Sequence, residues 1–345
     1  MEIVELTHIP NALSLFGLDG LKSLALIVGG SFNCKTMNVK PKRIILIVLF
    51  GLALIAGAAA FLFFRFARPI GSGPAGPAIA RESFSQPWSS RQIMLVGLGD
   101  SVTAGFGARK GYSYFDRLVK NPADEFPELN SICLSAIFPK LSFTNLSVSG
   151  STSAEVAARQ LNLFPTNDAS VFGIVVMTTG GNDLIHNYGR TPPREEAMYG
   201  ATWEQAQPWV DNYGSRLEET ISQIKSHFPG GCEIFVANIF DPTDGIGDAE
   251  RAGLPAWNEA TKILDAYNDV IQRCATLHPE VHLIDMHNAF LGHGIHCTQF
   301  WREHYDRHDP HYWFFDNLED PNERGYDVIR RLFLVEMAKT QSRLK

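Results

Sequence analysis

Residues 93–105 read IMLVGLGDSVTAG, and this stretch decides the fold. Its first six residues, Ile93–Leu98, form a continuous apolar run, which is typical of a strand buried on both faces of a parallel sheet. Gly99 ends that run, and Gly105 closes the polar turn that follows. Glycines on both sides of Ser101 permit a tight turn that exposes the serine side chain. Taken alone, Gly-Asp-Ser more often marks an ordinary capping or turn serine.

Further along the chain, four more apolar runs predict strands, with helical patterns between them. The predicted strands are Leu141–Val148, Gly173–Thr178, Glu233–Ile239 and Val281–Ile284; the predicted helices are Thr152–Leu161, Trp209–His227, Trp257–Leu277 and Glu323–Lys339. Pro321 breaks the chain before the last helix, and Asn322 is a suitable N-cap for it. This alternation predicts a three-layer α/β/α fold with a five-stranded parallel sheet. In such folds the active site lies beyond the carboxyl ends of the strands.

Towards the N-terminus, Ile44–Phe64 is an uninterrupted apolar run, long enough to span a bilayer. Basic residues are more numerous before it than after it, which favours a cytoplasmic N-terminus and an extracytoplasmic domain. A buried core helix is the first alternative, but the run has no polar stripe. A signal peptide cleaved at 58–60 is the second. Because the apolar run continues past those alanines, we expect an uncleaved single-pass anchor.

The anchor divides the chain into segments. Residues 1–43 are predicted to be a cytoplasmic segment, of which 1–36 has the character of a misassigned start, because MNVKPKRIILIV from Met37 is a complete short basic leader. Residues 65–90 have the Pro, Gly, Ser and Ala content of a linker. The folded domain is expected over 91–345.

Composition excludes several classes of protein. The net charge of −7 argues against nucleic-acid binding, which needs a basic face. None of the five cysteines forms a C-x-x-C pair, so a zinc ribbon or thioredoxin-like site is not predicted. In an exported domain the cysteines could form a disulfide or be small buried residues. We expect no cofactor, and a monomer.

Two other strand ends carry residues that can hold negative charge. Gly150 follows the second predicted strand, and its backbone N–H can approach a ligand closely. Asn182, in the run Gly180-Gly181-Asn182-Asp183, follows the third strand, and its side-chain amide can donate to a developing oxyanion. Each residue, by itself, fits an ordinary turn.

Together, GDSxTAG, the strand-end glycine and GGND resemble the SGNH/GDSL hydrolases over nearly all of residues 91–345. The resemblance implies that Ser101 is the nucleophile. It also implies that the Ser101 N–H, the Gly150 N–H and the Asn182 side chain form the oxyanion hole. It implies the SGNH variant of the flavodoxin-like fold.

The last motif of that family, D-x-x-H-P-N, is altered here. Pro321 and Asn322 match it, but Asn317 stands where the aspartate is expected, and Asp320 stands where the histidine base is expected. A serine hydroxyl is a poor nucleophile without a base.

Three interpretations remain open. In the first, a histidine from elsewhere is the base and Asp320 orients it; His293, between two glycines, ranks first, with His311 and His296 as alternatives. In the second, Asp320 is itself the base, with a pKa raised by burial. In the third, the domain has lost hydrolysis and binds an acyl or glycosyl group, or assists acyl transfer.

Metal binding is a weaker interpretation of the His-rich and Asp-rich segment 285–311, because no H-E-x-x-H spacing is present. The acidic run 241–248 resembles a calcium loop but lacks the EF-hand arrangement, so a substrate-side loop is predicted there. The sequence as a whole predicts a membrane-anchored serine esterase acting on a small-molecule, lipid or carbohydrate ester, including O-acetyl groups.

Overall fold

The chain divides into two compact units, residues 1–60 and 61–345. A computed structural model describes residues 41–343, so the proposed start at Met37 lies outside the described residues. Helix α1 spans Pro41–Phe66 and includes the whole predicted anchor. Its best 18-residue window within Lys42–Phe66 has a mean hydropathy of 2.8 and no buried residue. By length and composition, this helix can cross a membrane.

The second unit is built on a five-stranded sheet in which every pair of neighbouring strands is parallel. The strand order is β2-β1-β3-β4-β5. The strands are β1 Gln92–Gly99, β2 Leu141–Asn145, β3 Val171–Thr178, β4 Cys232–Ala237 and β5 Val281–Ile284. The predicted five-stranded parallel sheet is therefore confirmed.

Helices connect the strands and cover both faces of the sheet. They are α2 Ser101–Ala104, α3 Tyr114–Val119, α4 Leu134–Ile137, α5 Ser153–Glu155, α6 Gly181–Ile185, α7 Trp203–Ser226, α8 Ala260–Leu277, α9 Met286–Phe290 and α10 Glu323–Lys339. Short 3₁₀ helices lie at Arg81–Phe84, Pro127–Leu129, Leu161–Leu163, His186–Gly189, Ala249–Ala252 and Gln341–Arg343. Asn322 caps α10 as predicted, accepting from the N–H groups of Arg324 and Gly325.

Two predicted helices differ from the observed ones. The predicted helix 152–161 is α5 followed by a π-helical turn, Val156–Gln160, which ends with the Gln160 amide bonded to the end of β1. Helix α7 begins six residues before the predicted start at Trp209. Thr202 and Gln205 form a capping box there, and Pro208 is accommodated inside the helix.

Alternating strand residues fill two apolar cores. Ile174 faces the core shared with α3 and α10, whereas its neighbour Val175 faces the core shared with α7 and α8. Four cysteines of the described chain, Cys133, Cys232, Cys274 and Cys297, are buried and unpaired. They are small core residues in this structure.

The predicted linker contacts the domain at several points. The Pro69 carbonyl accepts from the Tyr312 N–H at 2.7 Å. The Arg324 guanidinium donates to the carbonyls of Ser72 and Gly73 at 2.7 and 3.0 Å. Ala75 is buried in the same core as α10. These contacts fix the segment beside the last helix.

Candidate active site

Ser101 is the first residue of α2, directly beyond the carboxyl end of β1. Gly99 has a φ of 121°, and a Cβ there would lie 1.9 Å from the carbonyl oxygen of Thr178. Only glycine permits this close approach of β1 to β3. Gly105, with a φ of 81°, ends α2 in the left-handed conformation. The two glycines therefore create the tight turn expected around the serine.

Asp100 stabilises this turn through hydrogen bonds to its carboxylate. Its Oδ1 accepts from the Val102 N–H at 3.1 Å and from the Thr178 hydroxyl at 2.6 Å. Burial raises the pKa of Asp100 to about 6, although these two hydrogen bonds oppose the rise. Asp100 thereby ties the turn that contains Ser101 to the end of β3.

Gly150 lies in the turn after β2, with a φ of 84° and open space where a Cβ would stand. The next residue, Ser151, is tied to β1 through Gln160, whose amide nitrogen donates to the Gly99 carbonyl at 2.7 Å and to the Ser151 hydroxyl at 3.2 Å. Gln160 also accepts from the Gly99 N–H at 2.8 Å. No sequence signal identified this glutamine as a bridge between the two motifs.

Asn182 lies in α6, which begins after Gly180 in the left-handed conformation. Its side-chain nitrogen donates to the Ser151 carbonyl at 3.0 Å, beside Gly150. A primary amide has two donor hydrogens, so one remains for a ligand. The neighbouring Asp183 is fully buried and accepts from the Ser153 N–H and hydroxyl at 2.7 and 2.5 Å. The second and third motifs are therefore bonded to each other.

Ser101 and Asn182 line the same open cleft. Its walls are mainly apolar, and most of its polar residues follow the carboxyl ends of β1, β3 and β4. Apolar lining residues include Leu184, Ile185, Ile239, Leu254, Trp257 and Leu264. Such a concave apolar cleft with a few polar groups is the usual form of a small-molecule site.

Asp320, the residue at the family's histidine position, lies beside Ser101. Burial raises the pKa of Asp320, whereas interactions with the Ser101 hydroxyl and with Asn317 lower it. The Asn317 amide donates to Asp320 Oδ2 at 2.7 Å. Oδ1 of Asp320 is buried without a well-formed hydrogen bond. The structure thus brings Ser101 and Asp320 together.

Glu319 is a site residue that the sequence interpretation missed. It lines the cleft together with Ser101 and Asn182. Burial raises the pKa of Glu319 to about 7, and the charge of Asp320 adds to the rise. Its position next to Asp320 was the available signal, but the altered motif drew attention to the aspartate alone.

The three histidines predicted as candidate bases each contact residues other than Ser101. The His293 ring stacks on Trp313 with centroids 3.3 Å apart, and its Nδ1 contacts the His311 carbonyl at 3.1 Å. His296 Nε2 pairs with Asp248 at 2.8 Å, and His311 Nδ1 pairs with an aspartate carboxylate. Among the described residues that line the cleft, none is a histidine.

The acidic loop 241–248 contributes Asp241, Pro242 and Thr243 to the lining of the cleft. The Asp244 carboxylate accepts the N–H groups of three residues in the His-rich segment, namely Gly292, Gly294 and His296, at 2.7–2.9 Å. Burial raises the pKa of Asp244 to about 7. This carboxylate therefore holds two loops together.

Three potential metal ligands, Glu218, Cys274 and His278, meet away from the cleft. His278 Nε2 already contacts Glu218 at 2.5 Å, and burial raises the pKa of the Cys274 thiol to about 12.

Comparisons with solved structures found several proteins of low similarity to this chain. An extracellular lipase from Streptomyces rimosus is 20% identical, with a TM-score of 0.46, over 71% of this chain and 99% of that chain. The acetylxylan esterase Axe2 from Geobacillus stearothermophilus is 17% identical, with a TM-score of 0.46, over 72% and 95%. A lipolytic G-D-S-L protein from Veillonella parvula is 13% identical, with a TM-score of 0.43, over 70% and 96%.

In a comparison with curated proteins, no sequence matches this chain. Residues 98–328 match the GDSL-like lipase/acylhydrolase family, and this range includes Ser101, Gly150, Asn182 and Asp320. The match covers more than half of the chain and agrees with the five-stranded parallel sheet. This chain therefore belongs to the GDSL-like lipase/acylhydrolase family.

Proposed function

We propose that this protein is a serine esterase that hydrolyses a carboxylic ester with Ser101 as the nucleophile. The observation that carries the proposal is that Ser101 and the Asn182 amide line one apolar cleft at the carboxyl ends of β1 and β3. A serine hydroxyl that meets an amide donor is the arrangement that acyl transfer requires.

The chemistry has two steps. The Ser101 oxygen attacks the ester carbonyl, and the N–H groups of Ser101 and Gly150, with the Asn182 amide, hold the resulting oxyanion. Such donors typically contribute about 3–4 kcal/mol each to stabilising the transition state. The alcohol leaves, and water then releases the acid from the serine.

The cleft favours an ester with an extended apolar acyl group over an acetyl ester. Its lining is mainly apolar and comes from several elements beyond the serine turn, which is more apolar surface than a two-carbon group would cover. Leu254, Trp257 and Leu264 line it and offer apolar surface to a longer chain. A lipid ester is therefore the preferred substrate class, and an O-acetyl carbohydrate is the alternative.

Localisation follows from the apolar helix. The excess of basic residues before 44–64 supports a cytoplasmic N-terminus and an extracytoplasmic hydrolase domain. Access of a membrane-impermeant protease to the domain in intact cells tests this. Cleavage of the domain only after lysis would contradict the orientation.

The test of function uses the full chain in detergent micelles with p-nitrophenyl esters of two, four, eight and twelve carbons. We expect turnover that increases from acetate to the longer chains, and labelling of Ser101 by a fluorophosphonate. Turnover restricted to acetate would contradict the substrate class. Neither turnover nor labelling would contradict the esterase.

A second candidate is a binding or acyl-transfer accessory domain on the same fold. One observation favours it: no described residue lining the cleft is a histidine, although serine nucleophiles need a base. Binding of a long-chain fatty acid to the cleft, without labelling or hydrolysis, would support this candidate.

A further inference from the structure

The residue at the family's histidine position is held in place by its backbone. Phe314 and Pro321 form an isolated bridge, and the Phe315 N–H donates to the Asp320 carbonyl at 2.7 Å. The next residues continue into the cap of α10. Asp320 is 2% exposed, so its carboxyl group has little freedom to turn towards solvent.

The preceding loop is arranged around Asp320 by a single amide. Asn317 Oδ1 accepts from the N–H groups of Glu319 and Asp320 at 3.2 Å each. Its Nδ2 donates to Asp320 Oδ2 at 2.7 Å. Leu318, between them, has a φ of 67°, which is rare for a residue with a side chain. The loop thus adopts a costly conformation that brings Asn317 onto the carboxylate.

The two oxygens of Asp320 have different surroundings. Oδ2 is oriented by Asn317, whereas Oδ1 is buried and lacks a well-formed hydrogen bond. The group that faces this carboxyl is the Ser101 hydroxyl. A buried acceptor without a partner is costly, and in an enzyme it is a mark of a functional role. The carboxylate of Asp320 is therefore available to receive the serine proton.

The charges of Asn317 and Asp320 are compatible with both departures from the family motif. In a Ser-His-Asp arrangement, a negative carboxylate orients a neutral base through a hydrogen bond. Here a neutral amide orients a negative base through a hydrogen bond. The net charge of the pair is the same, and an amide avoids placing a second carboxylate against the first.

We propose that Asp320 is the base of the esterase, with Asn317 as its positioning residue; this rests on the proposed function. The Ser101 proton moves to the Asp320 carboxylate as the serine oxygen bonds to the carbonyl carbon. The carbonyl electrons move to its oxygen and return as the bond to the alcohol oxygen breaks. Protonated Asp320 then gives its proton to the departing alcohol.

Water repeats the sequence in the second half. Asp320 takes one proton from water as the water oxygen bonds to the acyl carbon. The bond to the Ser101 oxygen then breaks, and Asp320 returns the proton to that oxygen. The products are a carboxylic acid and the starting enzyme, with no redox change.

The surroundings of Asp320 are acidic. The charge of Asp320 raises the pKa of three neighbouring groups. They are Asp100 in the turn after β1, Glu319 in the same loop as Asp320, and Tyr326 in α10. Burial raises the pKa of Asp320 above 3.8, which strengthens it as a base. Because the base must be ionised, kcat should rise with pH through this raised value.

The experiment measures kcat and KM of the full chain in detergent, from pH 4 to 9, with p-nitrophenyl octanoate. We expect Asp320→Asn to lower kcat by about 10²–10⁴-fold, the usual contribution of a general base, with little change in KM. Asp316→Asn is the matched control: it is an exposed carboxylate in the same loop, and its kcat should be unchanged.

Two further variants test the positioning role. Asn317→Asp places a second carboxyl beside the base, so the rise of kcat should move to higher pH. The double variant Asn317→Asp with Asp320→His rebuilds the order of the family motif. It should recover kcat to within about tenfold of the native value, with its rise near the ordinary histidine pKa of about 6.5.

The outcomes separate two failures. If native protein hydrolyses the ester and Ser101→Ala does not, while Asp320→Asn keeps native kcat, the base assignment is overturned and the esterase stands. If Ser101→Ala keeps native kcat, the esterase proposal itself fails. Thermal unfolding checks that Asp320→Asn is folded; if it is not, an unchanged pH profile in Asn317→Asp overturns the proposal.

Discussion

The turn at Ser101, the proposed nucleophile, and the loop before the last helix both line one cleft, but they depend on different kinds of contact. At the turn, Gly99, Asp100 and Thr178 are fixed by short contacts at strand ends, close to the motif itself. In the loop, Asn317 holds a carboxylate three residues away and a left-handed leucine lies between them. The first side tolerates almost no variation, whereas the second can exchange its functional groups if charge and hydrogen bonding are preserved.

The largest expected effect is on the nucleophile side. Ser101→Ala should reduce kcat for p-nitrophenyl octanoate by about 10⁴-fold or more, because no other group at that position can form the acyl-enzyme. Steady-state kinetics and fluorophosphonate labelling measure this. Ser226→Ala, at the exposed end of α7, is the matched control and should be silent. Retained labelling of the Ser101→Ala protein would show that a different serine reacts.

Asn182→Ala should have the next effect on this side. Removing one oxyanion donor typically lowers kcat by about 10²–10³-fold, and KM should change little. The side chain also bonds to the Ser151 carbonyl, so a small loss of thermal stability is expected. Asn162→Ala, on the surface, is the control. If KM rises and kcat stays constant, Asn182 binds substrate and does not hold the oxyanion.

On the loop side, Glu319→Gln should alter the pH dependence. The carboxyl of Glu319 is neutral below its pKa of about 7 and charged above it. A charge in an apolar cleft disfavours an apolar acyl chain, so native KM should rise above pH 7. In the variant KM should not rise above pH 7. The KM values of the native protein and the variant should then differ by about tenfold or less at pH 9. A rise of equal size in the variant would exclude Glu319 as its cause.

His293→Gln should have the smallest effect on catalysis. Its stacking on Trp313 and its bond to the His311 carbonyl indicate a packing role, so unfolding free energy should fall by about 1–2 kcal/mol. The kcat of the folded variant should remain far above that of Asp320→Asn. If the order of those two kcat values is reversed, His293 reaches the site and the comparison between the two sides must be redrawn.

The sheet and its closing helix could be predicted because their signals are local. The apolar run 93–98 and the cap at Asn322 depend only on nearby residues, and both are found where expected. The break of the predicted helix 152–161 could not be foreseen, because Gln160 leaves the regular pattern to bond with Gly99, 61 residues earlier. Periodicity does not record a contact of that range.

The motifs predicted Ser101 and Asn182 as site residues, but they could not predict the apolar residues that line the cleft with them. The apolar residues of the cleft come from α6, α8 and the loops beyond β4, and only the fold places them together. The histidines attracted attention through their number and flanking glycines. The number of histidines in a segment does not show where each side chain points. In the structure the His293 ring stacks on Trp313 and the His296 ring pairs with Asp248.

The close approach of Gly99 to the Thr178 carbonyl also sets the distance between the turn that contains Ser101 and the turn that contains Asn182. Two main chains meet there with no side chain between them, so no rotamer change can widen or narrow the gap. The separation between the serine turn and the amide turn is then as rigid as the polypeptide itself. We expect that replacement of core residues elsewhere, or heating short of unfolding, leaves the separation between these two turns unchanged. Inhibitors can therefore be designed to fit a constant distance.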